Sequence, residues 1–476
     1  MQTVRCLVRA LNAPGALVAL LLAASCLILA IPATQASASD IQPQSPGGNA
    51  ADTPGIAISI TGMTPQIATA SDTVTVTGTL ANHTGSAMSG ITVQAQTSTA
   101  LFNGRAEMTS FARGGSYPYL MQAAGMPEVT GTVGSGATVH WSVSFDASTF
   151  YDRFGVFPLQ VQATAPRGGY TATAHTFLPY WLGGSASSQP QQLQVAWVWP
   201  LVDAPQQGAC SKTLATSRLA SSVASGGRLS TLLDAGATWT RDDQLTWNID
   251  PALLSDVSVM TRQYYTSGAT PSAECTGRFA KKASPAASAW LSKLQATTAG
   301  QAAFLTPYAD VDVAALSHAG LDASIRTAYQ VGGTAAGQIL PHTFGSSSSG
   351  TGDGAVLKAA WPADGRADAE VLTSLANDGG ISTLVLNSGE LPSSTPGYDN
   401  ALSRTTSGIG TSVSVLLADS GITSLLGSAS ATPTESGQFA FIQDFLAQTA
   451  MISSEAPNLA RSLVIAPPTG WNPSPA

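Results

Sequence analysis

Hydrophobic and polar positions alternate with period two from about Pro54 to Trp181, in runs such as Thr73-Val74-Thr75-Val76-Thr77, Ile91-Thr92-Val93-Gln94-Ala95 and 138–145. Successive side chains of a strand point to opposite faces, so this pattern predicts half-buried antiparallel strands. Runs at 156–163 and 170–178 continue the series, with Gly, Asn and Ser turns between them, as in a β-sandwich. Asn82-His83-Thr84-Gly85 reads as one such turn, although its first three residues also match an N-glycosylation acceptor. Beyond a Gly- and Ser-rich break the pattern changes. Short apolar runs at 195–199, 245–249, 302–305, 356–361, 383–386, 413–417 and 463–466 now alternate with helical stretches at 229–235, 252–265, 286–296, 369–377 and 439–454. Strands alternating with helices predict parallel βα units, and seven of them close as an incomplete barrel or remain an open sheet.

The expected fold is therefore multidomain β plus α/β: an immunoglobulin-like β-sandwich over 54–182, a linker over 183–192 and an incomplete (β/α) barrel-like domain over 193–476. Ahead of these, Arg5 and Arg9 precede an apolar core at 16–31 and the A-x-A site Ala36-Ser37-Ala38, so residues 1–38 read as a signal peptide cleaved near Ala38. An uncleaved anchor is the competing reading, because the apolar run approaches spanning length. Residues 39–53 mix Ser, Pro, Gly and Gln as a linker, and no later stretch predicts a membrane span. The expected location is secreted or extracytoplasmic. Without the leader, two cysteines remain, Cys210 and Cys275; in an oxidising compartment they are expected to form a disulfide, with two free buried thiols as the alternative.

Only 10% of the 476 residues are charged and the net charge is -8, which excludes a disordered polyelectrolyte and a basic nucleic-acid surface. Nearly every predicted strand of the second domain ends in an acid: Asp203, Asp250, Asp310 with Asp312, Asp364, Glu390 and Asp419. In parallel α/β folds the C-terminal strand ends open on one face, where ligands bind. Together with Trp199, Trp247, Tyr308 and Trp361, these acids predict an acidic, aromatic mouth suited to a glycan, since glycoside hydrolysis uses two carboxylates. Asp203, Asp250 and Asp310 are the candidate catalytic acids, and Trp199, Trp247, Tyr308, Asp312, Trp361 and Asp364 the candidate binding contacts. The competing reading makes each acid a helix cap; Asp250-Pro251 has the form of an N-cap followed by Pro at the first helical position. Asp310-Val311-Asp312 also has the form of a D-x-D metal site, but a glycosyltransferase using it would need a nucleotide sugar, scarce outside the membrane. The five histidines are scattered, no G-x-S-x-G occurs, and the run 345–354 lacks the Lys of a phosphate loop. No metal and no cofactor are expected.

The ordered motifs Ala196-Trp197-Val198-Trp199-Pro200-Leu201-Val202-Asp203, Gly226-Gly227-Arg228-Leu229, Asn248-Ile249-Asp250-Pro251, Pro307-Tyr308-Ala309-Asp310-Val311-Asp312, Trp361-Pro362-Ala363-Asp364-Gly365 and Ala466-Pro467-Pro468 resemble an uncharacterised actinobacterial family of secreted or membrane-anchored envelope proteins, commonly encoded beside the lipid II flippase. The resemblance implies an envelope location and is silent about activity. Members of that family usually continue into a further domain and a C-terminal transmembrane helix, so a short member or a truncated frame is expected here. The seven-fold pattern is also similar in architecture to the barrels of glycosidases and polysaccharide deacetylases, without the deacetylases' paired metal histidines. The expected function is binding of cell-wall glycan at the barrel mouth. The alternatives are a glycoside hydrolase using two of the aspartates and a non-catalytic scaffold for envelope-assembly proteins.

Overall fold

In the computed structural model the first domain is built from ten strands and one helix: β1 (Ile56–Thr64), β2 (Thr73–Asn82), β3 (Met88–Ser89), β4 (Thr92–Thr97), α1 (Arg105–Ala112), β5 (Met121–Gln122), β6 (Glu128–Val129), β7 (Thr132–Val133), β8 (Thr138–Asp146), β9 (Gly155–Thr164) and β10 (Thr171–Tyr180). The structure describes residues 55–473 apart from 124, 126, 151–152, 167, 183–189, 209, 240–244, 268–274, 276, 345–355, 391–400, 407–411 and 430–433. The leader, the first linker, most of the second linker and the run 345–354 lie outside the described residues. Strands β1-β2-β8 form one antiparallel sheet and β10-β9-β4 with β5 and β6 the other, a two-layer sandwich. The alternation seen in sequence is the cause: in β2 every second residue is buried, from Val74 through Gly78 to Asn82. Gly78 lies opposite Trp141 of β8, and a Cβ there would come within 2.3 Å of the indole. Asn82 ends the strand fully buried, donating to the carbonyls of Ser86, Val133 and Gly134 and accepting from the Thr84 amide and hydroxyl. Its amide is committed to the turn, which leaves nothing exposed for a glycan to attach to.

The second domain runs β11 (Leu193–Leu201), β12 (Thr213–Leu214), α2 (Arg218–Val223), α3 (Arg228–Trp239), β13 (Leu245–Ile249), α4 (Pro251–Met260), β14 (Tyr264–Ser267), β15 (Arg278–Lys281), α5 (Pro285–Thr298), β16 (Ala303–Leu305), α6 (Val313–His318), α7 (Asp322–Ile339), α8 (Pro341–Phe344), β17 (Ala359–Ala360), α9 (Ala369–Asn377), β18 (Thr383–Asn387), β19 (Leu402–Thr406), β20 (Ser412–Ala418), α10 (Ser420–Ala429), α11 (Glu435–Glu455) and β21 (Arg461–Ile465). Seven of these strands are parallel and lie in the order β16-β13-β11-β21-β20-β18-β17, which is chain order around a ring. The two ends of that order meet: Ala303 of β16 bridges Val356 in parallel, and the Leu357 amide donates to the Ala303 carbonyl at 2.9 Å. The expected incomplete barrel is thus a nearly closed seven-stranded one, and the open-sheet alternative is corrected. An element the sequence pattern omitted, β19, pairs antiparallel with β20 over Ser412–Leu416, where β20 and β21 do not pair.

Side-chain parity divides the barrel into two cores. Trp247 and Ile249 of β13 pack outward with Leu232, Leu233 and Leu253 of the helices, whereas Val198, Phe304, Val385 and Val464 fill the interior. Helix α11 joins the domains. Phe439 packs into the sandwich core, and Ala447 and Met451 into the cluster of Phe102, Phe111 and Phe177. The buried Gln443 amide donates to the carbonyls of Gln66 and Phe177. The described residues of both domains accordingly belong to one compact unit. Among the described residues, no helix is long and apolar enough to cross a membrane.

Candidate functional site

The barrel strands end toward one face, and the residues following β13, β16 and β17 carry the informative groups. Asp250 immediately follows β13 and is fully buried. As expected from Asp250-Pro251, it caps α4: its Oδ1 accepts from the Ala252 amide at 2.9 Å. The same oxygen also accepts from the Ala309 amide at 3.1 Å, tying the β16 loop to the β13 end. Its Oδ2 is buried with no hydrogen-bond partner among the described residues. Burial pushes the carboxyl up to about 7; the Ala252 and Ala309 amides pull it down, and the neighbouring charge of Asp310 pushes it up.

Asn248 lies two residues earlier, level with Pro200 of β11 and Phe304 of β16. Its neighbours Trp247 and Ile249 face the helices, so alternation turns Asn248 into the barrel with Phe304. It is fully buried, and neither its amide nitrogen nor its oxygen has a partner among the described residues. Buried polar groups are ordinarily hydrogen-bonded, and leaving one unmet costs about 1–3 kcal/mol. Three such atoms, two on Asn248 within the barrel and one on Asp250 just past the end of β13, mark a place where a polar partner would gain most.

The loops after β16 and β17 share a form. Each runs Pro, then a single tight turn containing left-handed residues: Ala309 (φ 64°) and Asp310 (φ 46°) in one, Asp364 (φ 54°) in the other. Non-glycine residues held there store strain, and such residues cluster at functional sites. Asp310 and Asp364 are exposed on these turns, with Tyr308 and Trp361 half-buried beside them. Desolvation by the surrounding protein raises the Asp310 carboxyl. Burial and the Asp310 charge together raise the Tyr329 hydroxyl of α7.

Several candidates have other work. Trp199 and Trp247 are buried, and the expectation that they present ring faces to a ligand is corrected. The cause is parity together with Gly236 of α3, whose missing side chain lets the helix settle on both rings; a Cβ there would lie 2.4 Å from Trp247 and 3.0 Å from Trp199. The Trp199 indole donates to the Leu232 carbonyl and packs edge-on against Trp471. Asp203 is held by Arg228 at 3.2 Å and by the Ala204 amide, which neutralises its charge. Asp312 caps α6 through the Ala315 amide. Asp419 accepts from the Ile422 amide in the first turn of α10 and pairs with Arg105 of the sandwich at 2.7 Å. Of the three proposed catalytic acids, the structure thus couples Asp250 to Asp310, and holds Asp203 on an arginine. Sequence reasoning missed Asn248 and the buried Asp256 of α4, whose carboxylate accepts from the Gln206 amide and is raised by burial. A polar residue inside an apolar strand or helix was the available signal. Cys210 and Cys275 form the disulfide, Cα atoms 5.6 Å apart. No group of three or more potential metal ligands occurs among the described residues.

Comparison with known proteins adds little chemistry. No curated protein matches. A CARDB domain from Pyrococcus furiosus overlaps 27% of this chain and 86% of its own at 8% identity and TM-score 0.16. Beta-glucuronidase 2 from Bacteroides uniformis overlaps 70% of this chain at 9% identity and TM-score 0.20, and this chain covers 36% of it. A cycloisomaltooligosaccharide glucanotransferase from Paenibacillus sp. overlaps 69% at 9% identity and TM-score 0.21, with 48% of its length covered. At these TM-scores none of the three bears on fold or function. A family model, by contrast, matches residues 9–476, nearly the whole sequence, and the chain belongs to DUF6049, a family of unknown function.

Proposed function

We propose that this chain is a secreted cell-envelope protein whose barrel mouth binds cell-wall glycan without cleaving it. One observation carries the reading: Asn248 and Asp250 bury three hydrogen-bonding atoms that have no partner among the described residues, and Tyr308 and Trp361, on the loops after β16 and β17, stay half-buried. A sugar offers hydroxyls that both donate and accept, which suits an amide and a carboxyl together, and apolar CH faces that suit aromatic rings. The Asp250 carboxyl, held near neutrality, can donate as well as accept. The leader-like N-terminus and the disulfide support an oxidising, extracytoplasmic location.

Hydrolysis is the second reading, and the Asp250–Asp310 pair favours it: a glycosidase uses two neighbouring carboxyls, and here both are raised, Asp250 to about 7. The test separates them. The purified chain is incubated with isolated cell-wall glycan, and both co-sedimentation and release of soluble fragments are followed, with Asp310→Asn as the comparison. Binding without fragments supports the first reading. Fragments that disappear in Asp310→Asn replace it with the second, and neither binding nor fragments contradicts both.

A further inference from the structure

The acids at the strand ends are not equivalent. Asp203, after β11, meets Arg228 at 3.2 Å, and Asp419, after β20, meets Arg105 at 2.7 Å. Asp250, after β13, and Asp310, on the loop after β16, have no ion pair among the described residues. They are neighbours instead. Strands β13 and β16 pair in parallel, the Ala309 amide donates to Asp250, and the Asp310 charge is felt at the Asp250 carboxyl. Asp250 is fully buried, whereas Asp310 is exposed, so the pair offers one carboxyl to solvent and one behind it in the fold.

Asn248 is the second, independent observation. It is 0% exposed, strand alternation turns it into the barrel with Phe304, and neither of its amide atoms has a partner among the described residues. It precedes Asp250 by two residues, roughly 7 Å along the strand, a span that one sugar unit with its substituents can bridge. One pair of adjacent strands therefore carries an amide with a donor and an acceptor to spare, a buried carboxyl with one oxygen to spare, and an exposed carboxyl. A metal ion would satisfy the oxygens and leave the Asn248 N–H groups unmet. A neutral sugar would meet the amide and bring no charge to the two acids. An ammonium with a hydroxyl on the neighbouring carbon does both. Its N–H groups can donate to Asp250 Oδ2, to Asp310 and to Asn248 Oδ1, while the hydroxyl oxygen accepts from Asn248 Nδ2. A cation brought beside two carboxyls also favours their ionised forms. Neighbouring amine and hydroxyl groups occur together on a 2-amino sugar, and acylating the amine removes its charge.

We propose that the glycan this site selects is one with unacylated 2-amino sugars, the ammonium held by Asp250 and Asp310 and the neighbouring hydroxyl accepting from Asn248. The inference rests on the glycan-binding reading above and narrows it to a cationic class. The test titrates the full chain by calorimetry, near neutral pH, with the glucosamine tetramer, the N-acetylglucosamine tetramer and, for charge alone, tetralysine. Asp310→Asn is the comparison variant; asparagine tolerates the left-handed backbone of that turn, and its thermal melt is checked against the parent. The glucosamine tetramer is expected to bind at least about tenfold more tightly than either of the others, and to lose that margin in Asp310→Asn. Equal or tighter binding of the acetylated tetramer overturns the proposal and leaves the glycan reading standing. Tetralysine binding as tightly as the glucosamine tetramer, or a margin unchanged in folded Asp310→Asn, overturns it too. Absence of glucosamine-tetramer binding does the same, and the glycan reading falls with it only if isolated cell-wall glycan also fails to bind.

Discussion

Asp250 holds its proton toward neutral pH because burial costs its charged form more solvation than two amides return. With a folded value of about 7 against about 4 in the unfolded chain, the stabilisation tied to its proton is fully present below about pH 4 and is lost as pH rises through about 7. The contribution is on the order of a few kcal/mol. Asp250→Asn keeps a capping oxygen and cannot ionise. It is expected to melt higher than the parent near pH 8 and to flatten the decline in stability between about pH 4 and 7, without abolishing it, since burial also raises Asp256 and Asp444. Thermal melts across that range check this, and superimposable profiles would remove Asp250 as the titrating group. The position of Asp250 after a strand and before Pro251 was legible in the sequence, as was its cap. Its second role, accepting from Ala309, was not, because that contact joins residues 59 apart.

At the scale of elements, glycine placement and capping decide how the barrel's outer layer seats. Gly236→Ala puts a methyl into the Trp247 ring, and such overpacking is expected to cost about 1–3 kcal/mol in urea unfolding. An unchanged midpoint would show that α3 can lift without penalty. Asp419→Ala removes both the α10 cap and the Arg105 pair, whereas Arg105→Ala removes only its own contacts. The cap makes the first more costly by about 1 kcal/mol, and equal losses would contradict its role. All seven parallel strands are legible as short apolar runs flanked by turns. Helix α7 is not, because its sequence is rich in Gly, Ala and Thr and buries only Ile325, Gly332 and Ala336. Strands β12, β14 and β15 escape for another reason: each is two to four residues long and exists only through pairing with the others. The tryptophans mislead because composition reports a ring but not the face of the strand it leaves from.

At the scale of the molecule, α11 gives one face to each domain, so the sandwich and the barrel share a core element. Met451→Ala, which empties a site among Phe102, Phe111 and Phe177, is expected to cost about 2–5 kcal/mol and to lower the unfolding of both domains together. A calorimetric trace that splits into two transitions, with only one shifted, would contradict that coupling. Closure of the ring at Ala303 and Val356 could not be read from seven repeats, which fit an open sheet equally well.

The central claim is that the barrel interior presents polar groups kept for a ligand, and Asn248→Leu tests it most directly. The substitution nearly preserves volume and removes two buried atoms that have no partner. The measurement is the affinity for soluble cell-wall oligosaccharides by titration calorimetry, with the thermal melt recorded in parallel. The account predicts opposite signs: the variant gains about 1–3 kcal/mol of stability and loses binding. Binding retained at full strength in a stabilised Asn248→Leu protein would contradict it.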